Sequence, residues 1–275
     1  MITLEIFDVE HGNCALLTSG DGTRMLIDCG HNSSKSWYPG THLRRLGVSH
    51  LEMLVVTNYD QDHISGFPNL IDNVTIGNVV RNTAVTPHQI HQLKSEEGVV
   101  STAMSRFITS LQCNFSPPGA GPAYNFPHVE WDVHRNNLND FDDENNLSLV
   151  LRLKVFETNL IFPGDMEAAG WRRLLAVDQK LARSLRDTHV LVASHHGREN
   201  GICPEMFDVY YCNPQIVVIS DDYRQYNTQY TTDYYRSKCQ GILGFRGSMG
   251  LRHVLTTRRD GTITFQLAHL GGRVF

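Results

Sequence analysis

The chain has 275 residues, of which 41% are hydrophobic and 19% are charged, and its formal net charge is −5 at pH 7. This length and apolar content allow one large domain with a substantial core. The acidic balance excludes a broadly basic nucleic-acid surface but leaves room for a local basic groove. Because no apolar run approaches the ~18 residues of a membrane span, we expect no contact with a membrane.

The cysteines and the N-terminus indicate a cytoplasmic protein. The first residues have neither the basic region nor the apolar core of an export signal. No Cys-x-x-Cys pair occurs, which argues against a disulfide framework and against a structural zinc site. The six cysteines are scattered along the chain, at Cys14, Cys29, Cys113, Cys203, Cys212 and Cys239.

The hydrophobic pattern predicts a β-meander followed by alternating strands and helices. Apolar and polar residues alternate at the N-terminus, as in a half-buried strand. The predicted elements of the first part are strands at 2–8, 15–18 and 24–28, a helix at 42–46, a strand at 51–56, a helix at 67–73, a strand at 76–81 and one long helix at 87–111.

The second part of the chain continues the same alternation, which is typical of a layered α/β domain. The Asp260-Gly261 pair is a turn signal and is predicted to join the last two strands. The predicted elements are strands at 129–134, 147–155 and 160–162, a helix at 166–186 and strands at 189–193, 216–220, 253–257 and 262–267.

Chemistry-bearing side chains follow directly after the strand at 51–56. Asp60, Asp62 and His63 lie within four positions, and Asn58 precedes them. Carboxylates this close repel each other, and a cation between them removes that repulsion. The alternative is a solvated turn, because Asp and Asn are ordinary turn residues. We favour a metal site, and the turn stays open as the competing interpretation.

The spacing Asn58-x-Asp60-x-Asp62-His63 resembles the H-x-H-x-D-H signature of the metallo-β-lactamase superfamily. It is closer to the H-x-D-x-D-H-x-x-G form in the metallo-β-lactamase-like domain of ComEC-type competence proteins. Further stretches resemble motifs of that domain in the same order, namely Phe7-Asp8-Val9-Glu10-His11-Gly12-Asn13-Cys14, Met25-Leu26-Ile27-Asp28-Cys29-Gly30, Asn145-Asn146-Leu147-Ser148-Leu149-Val150, Phe162-Pro163-Gly164-Asp165 and Val192-Ala193-Ser194-His195-His196-Gly197.

The resemblance implies an α/β fold, the αββα metallo-β-lactamase sandwich, as a single hydrolase domain over residues 1–275. It implies that Asp60 binds a first metal, that Asp62 and His63 serve a second, and that Asp165 bridges the two. One histidine of the His195-His196 pair would be a further ligand. We favour His195 as the ligand and expect His196 to face the substrate, so the expected catalytic residues are Asp62, His63 and His196.

Two departures from the pattern weaken the first metal site. Asn58 stands where the superfamily has a ligand histidine, and Asn145 or Asn146 stands at another histidine position. The remaining oxygen ligands favour Mn²⁺ or Mg²⁺, whereas imidazoles suit Zn²⁺ or Mn²⁺. We therefore expect one firm divalent metal site and one weak site, with the Asn58 carbonyl oxygen as a candidate ligand of the weak one.

The expected activity is metal-assisted hydrolysis, in which the metal lowers the pKa of water from 15.7 towards ~7. The resemblance implies a phosphodiester substrate, a DNA strand, so the expected partner is a nucleic acid. It also implies a protein partner from the same system for a free-standing domain. Two alternatives stay open: hydrolysis of a small ester or cyclic nucleotide in the same site, and a degenerate, metal-poor binding or regulatory subunit.

A tyrosine-rich stretch at 219–236 follows a predicted buried strand, where the competence proteins carry a histidine-containing motif. Tyrosines can stack on bases, and arginines can hold phosphates. For Tyr234 and Tyr235 we favour packing on the sheet. The candidate substrate-binding residues are Asn146, Tyr223, Arg224, Tyr226, Asn227 and Gln229. Further candidates for phosphate contacts are the loop Gly244-Phe245-Arg246-Gly247-Ser248 and the arginines Arg252, Arg258 and Arg259.

Overall fold

Two mixed β-sheets form the centre of the protein in the computed structural model, which describes all residues except 97, 116, 119, 120, 122, 224–226 and 270, and only the backbone at 227. The first sheet has the order β13-β12-β1-β2-β3-β4-β5 and the second the order β11-β10-β9-β8-β7-β6. The strands are β1 Ile2–Ile6, β2 Ala15–Thr18, β3 Arg24–Ile27, β4 His50–Val55, β5 Thr75–Val80, β6 Val129–Arg135, β7 Leu149–Val155, β8 Thr158–Phe162, β9 Val190–Val192, β10 Ile216–Ile219, β11 Val254–Thr256, β12 Ile263–Ala268 and β13 Gly271–Val274.

The inner faces of the two sheets pack on each other to form the central core. In β1 the apolar side chains Ile2, Leu4 and Ile6 are buried and alternate with half-buried polar residues, because successive side chains of a strand point to opposite faces. From the second sheet Leu151 and Val218 belong to the same cluster. The alternating pattern of the sequence therefore sets which face of each strand is buried.

Helices cover the two outer faces and complete four αββα layers, which confirms the predicted fold class. On the first sheet Phe67 and Phe107 contact edge to face, with ring centroids 5.1 Å apart. On the second, Trp171 is fully buried in a separate cluster. The helices are α1 Pro39–Arg45, α2 Gln61–Ile64, α3 Phe67–Asn73, α4 Pro87–Glu96, α5 Thr102–Cys113, α6 Ala168–Val177, α7 Gln179–Ser184, α8 Pro204–Asp208, α9 Thr232–Ser237 and α10 Thr257–Asp260.

A buried histidine connects β6 to the start of α7. His134 Nδ1 lies 2.5 Å from an Asp178 carboxylate oxygen, and Nε2 lies 2.6 Å from Asp132. Burial would lower the pKa of His134, but its contacts with the two aspartates raise that pKa above its ordinary value. A protonated histidine between two carboxylates stabilises this part of the sheet.

Strands β8, β9, β10 and β11 are parallel neighbours, so their C-terminal ends meet at one edge of the second sheet. In the first sheet β3, β4 and β5 are also parallel. Such edges are where α/β proteins usually place their functional residues, because the loops there leave the sheet side by side.

The structure corrects two predicted helices, each of which is broken in two. The prediction at 87–111 becomes α4 and α5, and position 97 lies outside the described residues. Gly98 has a φ of 147°, and the Ser101 side chain accepts a hydrogen bond from Met104 N at the start of α5. The prediction at 166–186 becomes α6 and α7, because Asp178 ends the first and caps the second through Leu181 N.

The Asp260-Gly261 pair lies between β11 and β12, as predicted, but it does not join them in a hairpin. Strand β11 pairs with β10 in the second sheet, whereas β12 pairs with β1 in the first. The chain crosses between sheets here through α10, and Asp260 is buried against Arg252 at 2.7 Å. Strand β13 had not been predicted. Within the described chain, every helix lacks the length or the apolar character that spanning a membrane requires.

Candidate metal centre

Four side chains meet at the edge where the parallel strands end. Asp62 and His63 lie on α2, shortly after β4, while Asp165 follows β8 and His196 follows β9. One ligand atom of each lies within 4.8 Å of the others. Asp165 Oδ1 is 2.9 Å from His63 Nε2 and 3.4 Å from His196 Nε2, which in turn is 3.2 Å from Asp62 Oδ2. We call this group the tetrad.

Asp28 orients His63. This fully buried carboxylate at the end of β3 accepts hydrogen bonds from Thr57 N at 2.7 Å and Asn13 Nδ2 at 2.8 Å. His63 Nδ1 lies 2.8 Å from the same carboxylate. Donation from Nδ1 leaves Nε2 to face Asp165, which is the arrangement that positions metal-binding histidines in proteins.

The loop that carries His196 has a strained backbone. His195 and His196 have φ values of 50° and 51°, in the left-handed region that non-glycine residues seldom adopt. His196 Nδ1 donates to the carbonyl oxygen of Ser220 at 2.9 Å, so its Nε2 points into the tetrad. Below the loop, Trp171 Nε1 donates to Ser194 Oγ at 2.8 Å. Such strain persists only where surrounding contacts impose it, and it is concentrated at functional sites.

Two glycines allow the backbone of Asp62 to approach the first sheet closely. A Cβ atom at Gly12 or at Gly30 would lie 2.5 Å from the carbonyl oxygen of Asp62. Real Cβ atoms essentially never come so close, so any side chain at either position would displace the loop of Asp62. Both glycines belong to the motifs that resemble the superfamily, and the structure gives their physical role.

Opposite charges in the tetrad shift all four pKa values. Burial would lower the pKa of His63, but the carboxylates of Asp165 and Asp28 raise it well above its ordinary value. The pKa of His196 rises against burial to about 10, chiefly because of Asp165. Against the effect of burial, the two histidines hold the pKa of Asp165 well below its ordinary value, and His196 lowers that of Asp62. Without a metal the histidines therefore retain protons as the compensating cations.

The tetrad fits a divalent metal ion. Tetrahedral zinc has ligands at ~2.0–2.2 Å, which places ligand atoms roughly 3.3–3.6 Å apart. The contacts of His196 Nε2, at 3.2 and 3.4 Å, are close to this spacing. Among the described residues this buried nitrogen has these two ion-pair contacts but no hydrogen bond of good geometry, whereas the Nδ1 atoms of both histidines are occupied by Asp28 and Ser220. Two imidazoles and two carboxylates are a donor set that suits Zn²⁺ or Mn²⁺.

Asp60 and Asn58, the predicted ligands of the first metal, lie outside the tetrad. The Asp60 carboxylate is 2.6 Å from Lys94 Nζ. Asn58 Oδ1 accepts from Asp60 N at 2.7 Å, and Asn58 Nδ2 donates to Ser148 Oγ at 3.1 Å and to Asn145 Oδ1 at 3.2 Å. These hydrogen bonds and the ion pair place both side chains in the wall beside the tetrad, and a metal at this position stays a prediction.

His195, which we favoured as the ligand, lies at the margin of the tetrad. Its Nε2 is 3.8 Å from Asp165 Oδ2 and accepts from Arg198 at 3.1 Å, while Nδ1 is 3.6 Å from Glu167. Burial is the main cause that lowers the pKa of His195, so it stays neutral where His196 does not. The sequence could not separate the two, because their direction depends on the strained turn.

The predicted substrate-binding residues lie in different environments. Asn146 is buried, and its Oδ1 accepts a hydrogen bond from Gly170 N at 2.7 Å. Tyr223 is 59% exposed and contacts the His11 ring at a centroid distance of 5.1 Å. Gln229 is buried. Arg224 and Tyr226 lie outside the described residues, as does the side chain of Asn227. Tyr235 is buried in the outer cluster of the second sheet, and Tyr234 packs against it.

Sequence reasoning overlooked three residues at the site. Asp28 was part of a matching motif but received no role. Ser148 Oγ accepts hydrogen bonds from Asp165 N and from Asn58, both at 3.1 Å, and so positions the shared carboxylate. His11 borders the depression beside Asp62, and neither of its ring nitrogens hydrogen bonds to a described residue. The signal available for all three was their place in motifs that resemble the superfamily.

Comparisons with known proteins agree with this fold. No protein-family model matches the chain. The ComE operon protein 3 of Bacillus subtilis (strain 168) is 24% identical over 262 residues, covering 88% of this chain and 30% of that protein. This chain therefore spans about 30% of the length of that relative.

Two solved structures are similar over nearly the whole chain. CmlA, a diiron β-hydroxylase from Streptomyces venezuelae, matches with a TM-score of 0.51 and 13% identity, covering 97% of this chain and 54% of that one. Igni18, a metallo hydrolase from Ignicoccus hospitalis KIN4/I, has a TM-score of 0.46 and 12% identity, covering 97% of this chain and 100% of that one. The likeness to CmlA agrees with the αββα fold described above, and the tetrad is a group of residues able to hold a metal.

Proposed function

We propose that this protein is a metal-dependent phosphodiesterase that hydrolyses a nucleic acid strand, with DNA as the expected substrate. The observation that carries the proposal is the buried tetrad Asp62, His63, Asp165 and His196, in which two histidines direct Nε2 at a shared carboxylate. The 24% identity to the ComE operon protein 3 supports the narrower likeness to competence proteins. One ion held by the tetrad is sufficient for the proposal, and a second, weaker site stays a prediction.

The residues of the chain have separate parts in this reaction. A divalent ion, when bound, supplies Lewis-acid activation of a water and of a phosphoryl oxygen. Asp28 and Ser220 hold the two imidazoles in the orientation that leaves each Nε2 free for the ion. Asp165 lies between both histidines, and Ser148 fixes its backbone. His195, at the margin, accepts a hydrogen bond from Arg198 through Nε2 and lies 3.8 Å from Asp165 Oδ2, so it packs beside the shared carboxylate.

The shape of the site favours a strand over a small enclosed substrate. The cavity at Asp165 and His196 has a volume of only about 10 Å³, close to the space of one water. Beside it lies a depression of about 430 Å³ that includes His11, His31 and Asp62. This depression is open rather than enclosing, which suits a strand that runs past Asp62 better than a small ester or cyclic nucleotide, because small-ligand sites usually bury most of the ligand surface.

The test is hydrolysis of bis-(p-nitrophenyl) phosphate and of labelled single- and double-stranded DNA. Metal is first removed with a chelator, and Mn²⁺, Mg²⁺ or Zn²⁺ is then added back separately. We expect activity that depends on the metal and is lost in the Asp62→Ala/His63→Ala variant. The matched control is Asp72→Ala/His88→Ala, which removes one aspartate and one histidine from the surface.

Each result has a definite meaning. Metal-dependent cleavage retained in the control and lost in the tetrad variant supports the phosphodiesterase. Turnover of a cyclic nucleotide or a carboxylic ester, without cleavage of DNA, favours the small-substrate alternative. If a folded protein that binds metal cleaves none of these substrates, the proposal is wrong, and the departure at Asn58 then favours the binding or regulatory subunit.

A further inference from the structure

A second cavity, of about 420 Å³, lies along β11, the edge strand of the second sheet, and α9 packs beside it. Four arginines line it: Arg236 on α9, Arg252 before β11, and Arg258 and Arg259 on α10. This concentration of positive charge contrasts with the net charge of −5 of the whole chain. A local basic cavity in an acidic protein indicates an anionic ligand, because like charges otherwise repel each other.

Only two of the four arginines are neutralised by buried carboxylates. Arg252 pairs with buried Asp260 at 2.7 Å, and Arg258 pairs with fully buried Asp221. Among the described residues, Arg236 forms an ion pair only with the exposed Asp233, at 3.2 Å, and such a pair contributes little to stability. Arg259 is exposed and has no hydrogen bond or ion pair to any residue in the described part of the chain. Two positive charges therefore stay available to a ligand.

The wall of the cavity continues to the metal centre. Asp221, which holds Arg258, directly follows Ser220, whose carbonyl oxygen orients His196. On the other side, Thr231 Oγ1 donates to the carbonyl oxygen of Gly197, and its neighbour Thr232 lines the cavity. Strands β9 and β11 are separated by β10 alone, and strands lie ~4.8 Å apart, so the edge strand that lines the cavity is on the order of 10 Å from the strand that delivers His196 to the tetrad.

We propose that this cavity, which we call the arginine cavity, binds the phosphates of the nucleic acid strand whose scissile bond lies at the tetrad. At about 3.4 Å per nucleotide of a stacked strand, the separation corresponds to about three nucleotides. Arginine suits this role because its guanidinium binds phosphate oxygens in a bidentate manner. The inference rests on the proposed function and adds to it a strand-binding site away from the bond that is cleaved.

The variant for the test is Arg236→Ala/Arg259→Ala, which removes the two available charges and leaves the buried pairs intact. The matched control is Arg44→Ala/Arg183→Ala, which removes two exposed arginines from α1 and α7. Binding of a labelled single-stranded octanucleotide to metal-free protein is measured by fluorescence anisotropy over a range of salt concentrations. Hydrolysis of a dinucleotide, a hexanucleotide and bis-(p-nitrophenyl) phosphate is measured on the metal-loaded protein.

We expect the cavity variant to lose about 1.4 from the slope of log K against log salt, since each single-strand phosphate contact contributes about 0.7. Its KM for the hexanucleotide should rise on the order of tenfold, while kcat/KM for the dinucleotide and for bis-(p-nitrophenyl) phosphate stays at the wild-type value. These small substrates are too short to reach the cavity. The control variant should behave as wild type in every measurement.

Three results would overturn the inference. The first is an unchanged salt slope and hexanucleotide KM, and the second is an equal loss in the control variant. The third concerns inorganic phosphate. If phosphate alone stabilises the wild type against unfolding but does not stabilise the variant, and if binding does not depend on strand length, the cavity is a site for free phosphate. If wild type hydrolyses neither bis-(p-nitrophenyl) phosphate nor any of the nucleic acid substrates, the proposed function fails, while the anisotropy measurement still tests the arginine cavity.

Discussion

Replacement of Asp28 by asparagine tests whether the buried carboxylate positions His63 for a metal. Of the four tetrad residues Asp28 contacts only His63, and asparagine has nearly the same shape as aspartate. The carboxylate accepts hydrogen bonds from Thr57 and Asn13 and contacts His63 Nδ1 at 2.8 Å. Asparagine has only one acceptor oxygen. Its NH₂ group would therefore point at one of the N–H groups that donate to Asp28 in the wild type.

The magnitude follows from the lost contacts. A hydrogen bond to a charged group contributes about 1.5–3 kcal/mol, and a buried donor left without a partner costs a similar amount. Replacement of a residue that orients a metal-binding histidine typically lowers metal affinity about 10–100-fold. This corresponds to about 1.4–2.8 kcal/mol of binding free energy. We therefore expect Asp28→Asn to bind Zn²⁺ or Mn²⁺ 10–100-fold more weakly than wild type and to unfold at lower denaturant concentration.

The assay is metal titration by calorimetry in competition with a chelator, with circular dichroism to verify folding. Thr57→Val separates the two effects, since it removes a hydroxyl that donates to Asp28 but leaves the carboxylate for His63. It should lower stability with little change in metal affinity. Asp72→Asn, at an exposed ion pair, is the neutral control. Wild-type metal affinity in folded Asp28→Asn would refute the reasoning.

Three further predictions concern the tetrad and the core. Asp62→Ala should abolish metal binding measured by calorimetry, whereas Asp60→Ala should retain it. Asp60→Ala should lose at most about 1 kcal/mol of stability, because Asp60 is partly exposed beside Lys94. If Asp60→Ala abolished metal binding and Asp62→Ala retained it, the metal would be assigned to Asp60. Gly30→Ala should cost about 1–3 kcal/mol in denaturant unfolding, because its Cβ would overlap the Asp62 carbonyl oxygen, and unchanged stability would contradict that geometry. Stability contributed by His134 should be complete below its ordinary pKa of ~6.5 and lost as the pH rises through its raised pKa, since the folded state binds the proton more tightly. His134→Gln should therefore flatten the decline of metal-free stability above pH ~6.5, and an unchanged pH profile would exclude this contribution.

Local patterns in the sequence were sufficient to predict the layers of the fold. Alternation in β1 and the apolar run of β4 predicted strands, because burial of one or both strand faces leaves a period in the sequence that does not depend on distant contacts. The breaks at Ser101 and Asp178 were overlooked, since their effect depends on a side chain turning back to cap a helix. Asp260-Gly261 was misjudged for a related reason: a turn signal does not state which sheet the next strand joins.

The candidate site was likewise predicted in part from the sequence and decided in part by the tertiary structure. The sequence by itself determined that acidic residues and histidines follow the strand ends, because chain order and spacing are local properties: Asp62 and His63 after β4, Asp165 after β8 and the histidine pair after β9. Only the tertiary structure decided that His196 and not His195 turns into the tetrad, since this depends on a left-handed turn and on the carbonyl oxygen of Ser220. It also decided that Asp60 pairs with a lysine from α4, and that arginines near the C-terminus meet beside β11. Such contacts join residues far apart in the chain, and their geometry exists only once the two sheets have packed together.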